Sequence, residues 1–137
     1  MSAAGFRWTV RVYYEDTDAA GIVYYASYLK FMERARTEWL RSRGFEQLHL
    51  AREHGVVFAV ARLAVRYGKP ARLDERLEVG VGVTRLGRAG FDIAHDVTRE
   101  DGTAVCTGSV RIACLQTQSL SPRAIPTFLL TELRRDH

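Results

Sequence analysis

The sequence predicts an α+β fold in which a largely antiparallel sheet of five strands packs against one long helix. Apolar residues recur at helical spacing over one long stretch, near the amino terminus. From about residue 56 to residue 116 apolar and polar residues alternate instead, as they do in half-buried strands. No helical stretch separates these later strands, and parallel neighbours need a crossover of a dozen or more residues. We therefore expect the later strands to pair antiparallel.

The first strand and the long helix occupy the amino-terminal third of the chain. Residues Phe6–Tyr14 alternate in polarity, which predicts a strand. From Tyr28 to Trp39 the apolar residues form one helical face, which predicts a helix of about four turns. Ser27 suits the N-cap, and Gly44 follows the last turn, where glycine commonly ends a helix.

The remaining elements are a short helix, four strands and a tail. Residues Phe45–His54 predict the helix, which Gly55 ends. The strands are predicted over four stretches, Phe58–Tyr67, Leu77–Thr84, Phe91–Thr98 and Ala104–Leu115. From about residue 119 two prolines interrupt the pattern, so we expect an irregular and partly helical tail.

Length and composition indicate one domain, spanning residues 1–137. With 47% hydrophobic residues the chain can bury a core, which excludes intrinsic disorder, and no apolar run reaches the roughly 20 residues of a membrane span. Residues Met1–Phe6 lack the features of a secretory signal, so a cytoplasmic location is expected. Cys106 and Cys114 are too few for a disulfide framework and are expected to be buried thiols. The histidines show no metal-ligand spacing, and no metal is expected.

The basic residues are unusual in kind, because 18 are arginine and only two are lysine, with a net charge of +4. Codon bias alone can produce such an excess. An anionic partner is the functional alternative, since the planar guanidinium suits phosphate. The arginines are scattered among acids rather than clustered in runs, so a small phosphate-bearing molecule is favoured over nucleic acid.

The segment YEDTDAAGIVYYASY, between the first strand and the long helix, carries the candidate chemistry. Three acids lie within four positions, and the Ala-Ala-Gly that follows lets a ligand approach the backbone closely. A solvated acidic turn is the alternative. Glu15 and Asp16 are expected to face solvent or to pair with arginines such as Arg11. Glu33 is expected to pair with Arg36, one turn along the helix, and His95 to be buried in the sheet.

The run YEDTDAAGIVYYASYLKFMERARTEWLRSRGF resembles the signature of the 4-hydroxybenzoyl-CoA thioesterase family of hotdog-fold enzymes, which includes the acyl-CoA thioesterases associated with the bacterial Tol-Pal system. The resemblance continues through VRYGKPARLDERLEVGVGVTRLGRAGFDIAHDV and DGTAVCTGSVRIACL, and covers about residues 10–126. It implies a hotdog fold, with the sheet wrapped around the central helix. It also implies cofactor-free hydrolysis of an acyl-CoA, in dimers or tetramers with active sites at subunit interfaces.

The resemblance also assigns roles to residues of the acidic segment. Asp18 matches the catalytic carboxylate, which acts as nucleophile or as general base for water. Tyr25 matches the position whose backbone N–H polarises the thioester carbonyl, and Gly21 lies between them. Many Tol-Pal-associated members have histidine where this chain has Tyr25, whereas the hydroxybenzoyl-CoA enzymes have tyrosine. The acyl group, aromatic or short-chain aliphatic, therefore stays open.

The turn Thr84–Ala89 resembles the basic loop where hotdog thioesterases hold the nucleotide end of CoA. Arg85 and Arg88 are the expected contacts to its phosphates, the alternative being ordinary exposed hairpin arginines. Two other functions compete with hydrolysis. A non-catalytic acyl-CoA-binding or envelope-complex partner would keep the fold without turnover, and a hotdog dehydratase or hydratase would need a catalytic histidine that is not evident.

Overall fold

Five strands form one antiparallel sheet in the order β1-β3-β4-β5-β2. Their bounds are β1 Phe6–Arg11, β2 Val56–Tyr67, β3 Arg76–Leu86, β4 Gly90–Arg99 and β5 Ala104–Gln116. The computed structural model describes residues 5–137. Residues 1–4 lie outside that range. They belong to the predicted domain and to the amino-terminal stretch that lacks the features of a secretory signal. The α+β class and the antiparallel sheet predicted from the sequence are confirmed.

Three helices accompany the sheet, α1 Ser27–Ser42, α2 Gln47–His54 and α3 Thr127–Arg135. The predicted long helix is confirmed, although the N-cap is Ala26 and Ser27 is already helical. After α2, Gly55 adopts φ +67°, a left-handed conformation that favours glycine at a helix end.

The first strand is shorter than the sequence predicts. It ends at Arg11, and the chain then turns through a 3-10 segment, Tyr14–Asp16. The Tyr14 side chain, expected on the apolar face of the strand, is 83% exposed. The last pair between β1 and β3 is Arg11 with Arg76. The alternation of apolar and polar residues in the sequence thus extends beyond the paired strand.

The core lies between α1 and the inner face of the sheet. Phe31, Met32, Ala35 and Trp39 are fully buried on one face of α1. They pack against the inward residues of the central strands, which include Leu77, Val79, Ile93, Val97 and Val110. Since α1 is fixed along its length, the loop before it is held at one end of the sheet.

The carboxyl-terminal tail docks onto this core. Leu129 and Leu133 of α3 are buried. Asp136 accepts a hydrogen bond of 2.9 Å from Trp39 Nε1 and forms an ion pair with Arg43. The tail therefore completes the core beside the far end of α1.

Cys106 and Cys114 are buried and form no disulfide, and burial raises the pKa of the Cys106 thiol to about 12. Over residues 5–137, no helix is long and apolar enough to cross a membrane. The same range contains no cluster of three or more His, Cys, Asp or Glu side chains suited to a metal ion.

Candidate active site

A small hairpin between β1 and α1 carries the acidic segment. Tyr24 N–H donates to the Asp16 carbonyl at 2.8 Å, and Asp18 N–H donates to the Ile22 carbonyl at 2.9 Å. Gly21 closes the turn with φ +78°, a conformation that residues other than glycine rarely adopt. A Cβ atom at Gly21 would meet no atom within 4 Å, so the space beside the turn is open.

Asp18 stands at the tip of this hairpin with its side chain exposed. Its Oδ1 accepts a hydrogen bond of 2.9 Å from Ala20 N–H, which fixes the carboxylate relative to the turn. Among residues 5–137 no donor reaches Oδ2. An oriented carboxylate with one unoccupied oxygen is suited to attack a carbonyl or to accept a proton from water.

Asp16 is the opposite case, and the expectation that it faces solvent is wrong. It is 2% exposed, and its Oδ2 accepts the Tyr13 N–H at 2.8 Å. Lys30 Nζ lies 3.7 Å from its Oδ1, whereas Arg11 donates to the Asp74 carbonyl instead. Asp16 thus ties the hairpin to β1 and to the first turn of α1. Glu15 and Asp18 are both exposed, as the sequence predicts for Glu15.

The hairpin leads directly into the amino terminus of α1. Tyr25 comes three residues after Ile22, whose carbonyl accepts the Asp18 N–H. Within the described part of the chain, no acceptor takes the Tyr25 N–H. Backbone donors at a helix start lack intrahelical partners and carry the positive end of the helix dipole. Asp18 and the Tyr25 N–H therefore lie at the same corner of the fold.

A groove lies between α1 and the edge strand β2. It encloses about 310 Å³ and starts at Leu29, one helical turn after Tyr25. Its walls are mainly apolar, formed by Leu29, Met32, Val60, Leu63 and Val110. Lys30, Glu33 and Arg36 complete the lining. The groove is shaped for an apolar group attached to something bound at the corner.

Arg36 contacts the sheet rather than its own helix. Its Nη1 lies 3.0 Å from Nε2 of His95, while the His95 Nδ1 lies 2.9 Å from the Gly80 carbonyl. The expected ion pair between Glu33 and Arg36 is not among the salt bridges of residues 5–137. Burial, with the nearby Arg36 charge second, lowers the pKa of His95 to about 4. His95 is 2% exposed, as predicted, and is a neutral link between α1 and the sheet.

Arginines gather at the turn between β3 and β4. Arg85 is the next-to-last residue of β3, and its Nε lies 3.1 Å from Oδ2 of Asp92. Arg111 of β5 contacts the same carboxylate, with its Nε 2.9 Å from Oδ1. The Arg111 hydrogen bond is the main reason that the pKa of Asp92 is lowered. Arg88 is exposed, and no side chain of the described residues pairs with it. Sequence reasoning missed Arg111, because its partner is contributed by a neighbouring strand.

A shallow cavity of about 250 Å³ joins these arginines to the edge strand. Arg85, Arg88, Arg111 and Ala61 of β2 are among its lining residues. Arg85 and Arg111 share the Asp92 carboxylate, and Arg88 adds a third guanidinium group, so the cavity has a surplus of positive charge. Such a surface suits phosphate groups.

The acidic corner and the arginine cavity lie at opposite ends of the sheet. Ile22 bridges Arg72, just before β3 begins, whereas Arg88 follows the last residue of β3. An eleven-residue strand spans roughly 33 Å at about 3.3 Å per residue. Within one chain the structure therefore brings together Asp18, Gly21 and Tyr25, and separately Arg85 and Arg88.

Comparison with known proteins assigns the family. A model of the thioesterase-like superfamily matches residues 12–133. The chain belongs to the thioesterase-like superfamily. This thioesterase is 40% identical over 135 residues to the acyl-CoA thioester hydrolase YbgC of Escherichia coli O6:H1, covering 98% of this chain and 100% of that protein. It is 30% identical over 105 residues to the 1,4-dihydroxy-2-naphthoyl-CoA hydrolase of Thermosynechococcus vestitus, covering 77% of this chain and 72% of that one.

Solved structures agree with the hotdog architecture of this thioesterase. A probable thioesterase from Bartonella henselae matches with a TM-score of 0.83 and 33% identity, over 88% of this chain and 98% of that one. A 1,4-dihydroxy-2-naphthoyl-CoA thioesterase from Synechocystis matches with a TM-score of 0.88 at 21% identity, over 96% of this chain and 98% of that one, which bears on the fold alone. The predicted family and hotdog fold are confirmed, and the chain is a thioester hydrolase.

Proposed function

We propose that this protein hydrolyses acyl-CoA thioesters to the free acid and CoA, with Asp18 as the catalytic carboxylate. The observation that carries the proposal is the corner of the hairpin. There an oriented carboxylate with a free oxygen adjoins a helix start whose Tyr25 N–H is unused. The family membership supplies the reaction class, and the relatives named for acyl-CoA substrates support the choice of thioester.

The chemistry requires attack on the thioester carbonyl and stabilisation of the charge that forms on its oxygen. Asp18 Oδ2 either attacks the carbonyl carbon, giving a mixed anhydride that water then cleaves, or removes a proton from an attacking water. In both routes the C–S bond breaks and CoA leaves as its thiolate, which then takes up a proton. The Tyr25 N–H donates to the developing oxyanion, aided by the positive end of the α1 dipole.

The groove between α1 and β2 is the proposed site of the acyl group. It opens one helical turn from Tyr25, so a carbonyl bound there directs its substituent along the apolar wall. A volume of about 310 Å³ accommodates a short aliphatic chain or a single aromatic ring equally well. This geometry supports both acyl classes that the sequence leaves open, short-chain aliphatic and hydroxybenzoyl-type.

The CoA phosphates are proposed to contact Arg88 and Arg85 of a second chain. One chain separates Asp18 from Arg88 by about the length of β3, roughly 33 Å. The edge strand β2 has its Val56 end near the arginine cavity and its Tyr67 end near Asp18, because Ala59 pairs with Ala113, which pairs with Gly90. A two-fold axis through the middle of β2 would place the arginine cavity of one chain beside the Asp18 corner of the other.

The free edge of β2 supports this assembly. The strand is twelve residues long and, within residues 5–137, pairs only with β5, while Val60, Leu63 and Tyr67 are each more than 40% exposed. A long edge with exposed apolar side chains invites pairing with another chain. A dimer formed this way has a continuous sheet of ten strands, and two such dimers would give the tetramer that the family resemblance also allows.

Substitution of Asp18 by asparagine tests the proposal. Asp18→Asn keeps the side-chain oxygen that accepts the Ala20 N–H but removes the negative charge. We expect kcat for benzoyl-CoA and for short-chain acyl-CoAs to fall at least about 100-fold, because the variant has neither nucleophile nor base. Release of the CoA thiol, followed with a thiol reagent, measures the rate.

Asp101→Asn is the matched control, since Asp101 is an exposed carboxylate whose Oδ1 accepts a backbone N–H two residues on, at 2.9 Å. It should keep the parent rate. Equal turnover by Asp18→Asn and the parent would remove Asp18 from the mechanism. Absence of turnover by the parent on every thioester, with binding retained, would favour the non-catalytic acyl-CoA partner.

A further inference from the structure

Tyr67, the last residue of the edge strand β2, contacts the helix start that holds the candidate oxyanion donor. Its Oη donates a hydrogen bond of 2.9 Å to the carbonyl oxygen of Tyr25. The two residues are 42 positions apart in the sequence, and their rings also meet edge to face with centroids 6.3 Å apart. The sheet edge and the helix terminus are thus joined at one atom of residue 25.

The Tyr25 carbonyl needs this donor because the helix does not use it. In a regular α-helix it would accept the N–H of Leu29, four residues later. Leu29 N–H instead donates to Ala26 O at 3.1 Å, and Ser27 N–H donates to Tyr24 O at 2.8 Å. The Tyr67 hydroxyl donates to the Tyr25 carbonyl, which this tight first turn leaves without a helical donor.

Tyr67 is itself held in place by the surrounding tyrosine and backbone. Its ring packs on Tyr28, with centroids 5.8 Å apart, and Tyr28 Oη accepts the Ala71 N–H at 3.1 Å. Ala71 in turn accepts the N–H of Val23 at 2.8 Å. The segment from Val23 to Tyr28 is therefore fixed from two sides, and Tyr67 contributes the only side-chain hydrogen bond to the Tyr25 carbonyl within the described residues.

Partial burial is the main cause that raises the pKa of Tyr67, and the nearby Cys106 and Tyr25 raise it further. The phenol consequently stays protonated throughout the neutral range and remains a donor. Fixing the Tyr25 carbonyl fixes the ψ angle of that residue and, through its Cα, restricts the peptide plane that carries its N–H.

We propose that Tyr67 is a positioning residue that orients the Tyr25 backbone so that its N–H meets the thioester carbonyl. The proposal rests on the role of Tyr25 in the proposed function. It also means that β2, the strand proposed to pair with a second chain, sets the geometry of the oxyanion donor. Tyr67 is not among the residues that line the groove proposed for the acyl group.

The first test is Tyr67→Phe, which removes the hydroxyl and keeps the ring. The Tyr25 carbonyl then loses its side-chain hydrogen bond and the restraint that this bond places on the Tyr25 backbone, so kcat should fall about tenfold while KM changes less than about twofold. Thr131→Val is the matched control, because it removes an exposed hydroxyl of α3 that donates to a backbone carbonyl, that of Thr127, at 3.0 Å, and it should keep both constants. An unchanged kcat in Tyr67→Phe overturns the proposal.

The second test separates positioning of the carbonyl donor from general support of the structure. A trifluoromethyl ketone analogue of the substrate adds water at its carbonyl to give a tetrahedral group that resembles the intermediate and keeps the oxygen that the Tyr25 N–H would contact, whereas a thioether analogue lacks this oxygen. We expect Tyr67→Phe to weaken inhibition by the ketone about three- to tenfold and to leave inhibition by the thioether unchanged. Equal weakening of both would indicate a merely structural role and would contradict the proposal.

These outcomes are distinguishable from a failure of the proposed function. If Asp18→Asn loses activity but Tyr67→Phe keeps its kcat, the positioning role is wrong and Asp18 keeps its role. If Asp18→Asn keeps its activity, the proposed mechanism is wrong whatever Tyr67→Phe does. The ketone and thioether comparison does not require turnover, so it reports on the Tyr25 geometry in either case.

Discussion

Arg85 and Arg88, only three positions apart, have different surroundings. Arg85 is held by Asp92, whereas Arg88 is exposed and its guanidinium is free for an external anion among the described residues. The sequence indicated both equally, because the ion pair depends on a carboxylate from the neighbouring strand. Of the two, Arg88 has the greater capacity to bind a phosphate of CoA.

Arg88→Ala is therefore expected to raise KM for CoA thioesters about five- to tenfold, with kcat nearly unchanged, because it removes a charge-assisted contact distant from the reacting carbonyl. A truncated pantetheine thioester, which lacks the nucleotide phosphates, should show little change. Steady-state kinetics with both substrates measure the difference. Arg134→Ala, an exposed arginine on α3, serves as the control. Equal effects on the two substrates would remove Arg88 from CoA binding.

Local signals identified the candidate turn but not all of its surroundings. The acids and the Ala-Ala-Gly marked the turn, whereas the choice of Asp18 as the catalytic carboxylate came from the family resemblance. Asp16 was wrongly expected at the surface, because its burial depends on Lys30 and on the return of the chain to β1. Tyr67 gave no signal, as its partner is the backbone of a residue 42 positions earlier.

At the scale of elements, α1 is linked to the sheet by a buried polar contact as well as by apolar packing. Arg36 lies 3.0 Å from His95, which also contacts the Gly80 carbonyl, and Asp96 is the neighbouring acid. Since burial and Arg36 lower the pKa of His95 from 6.5 to about 4, the folded protein binds its proton less readily than the unfolded chain. Neutral His95 therefore stabilises the folded state by a constant amount above about pH 6.5, and this stabilisation is lost as the pH falls from there towards 4.

Because the His95 contribution is lost on acidification, we expect it to make the free energy of unfolding about 2 kcal/mol lower at pH 5 than at pH 7. In His95→Gln the change between these two pH values should be smaller by that amount, whatever the variant does to stability at pH 7. Urea unfolding at both pH values measures it. His49→Gln, at an exposed histidine of α2, should keep the parent pH dependence. A parent-like pH dependence in His95→Gln would show that His95 is not the responsible group.

Element type and order were predictable because each strand and helix carries its own periodicity. Element ends were less so: β1 ends at Arg11 because pairing with β3 stops there, although the polarity alternation continues. Helix α3 lies in the tail that was expected to be irregular and partly helical, and its position depends on burying Leu129 and Leu133 and on the contacts of Asp136. Such tertiary contacts leave no local pattern in the sequence.

At the scale of the whole molecule, the central claim is that each active site combines two chains. One chain has the proposed catalytic corner at one end of the sheet and the arginine cavity at the other, roughly 33 Å apart along β3. The free edge of β2 provides a surface where a second copy can bring the two ends together. The sequence alone implied such an assembly by family resemblance, and the separation of the two sites now gives it a physical reason.

Mixing of two defective variants tests this claim most directly. Asp18→Asn and Arg88→Ala chains, unfolded together and refolded at equal amounts, form mixed dimers that contain one site with both residues intact if the residues act across the interface. At a low concentration of a CoA thioester, activity should then recover to about a quarter of the parent, since half of the dimers are mixed and half of their sites are complete. If Asp18 and Arg88 act within one chain, no site is complete and the mixture shows only the average of the two variants, which would contradict the account.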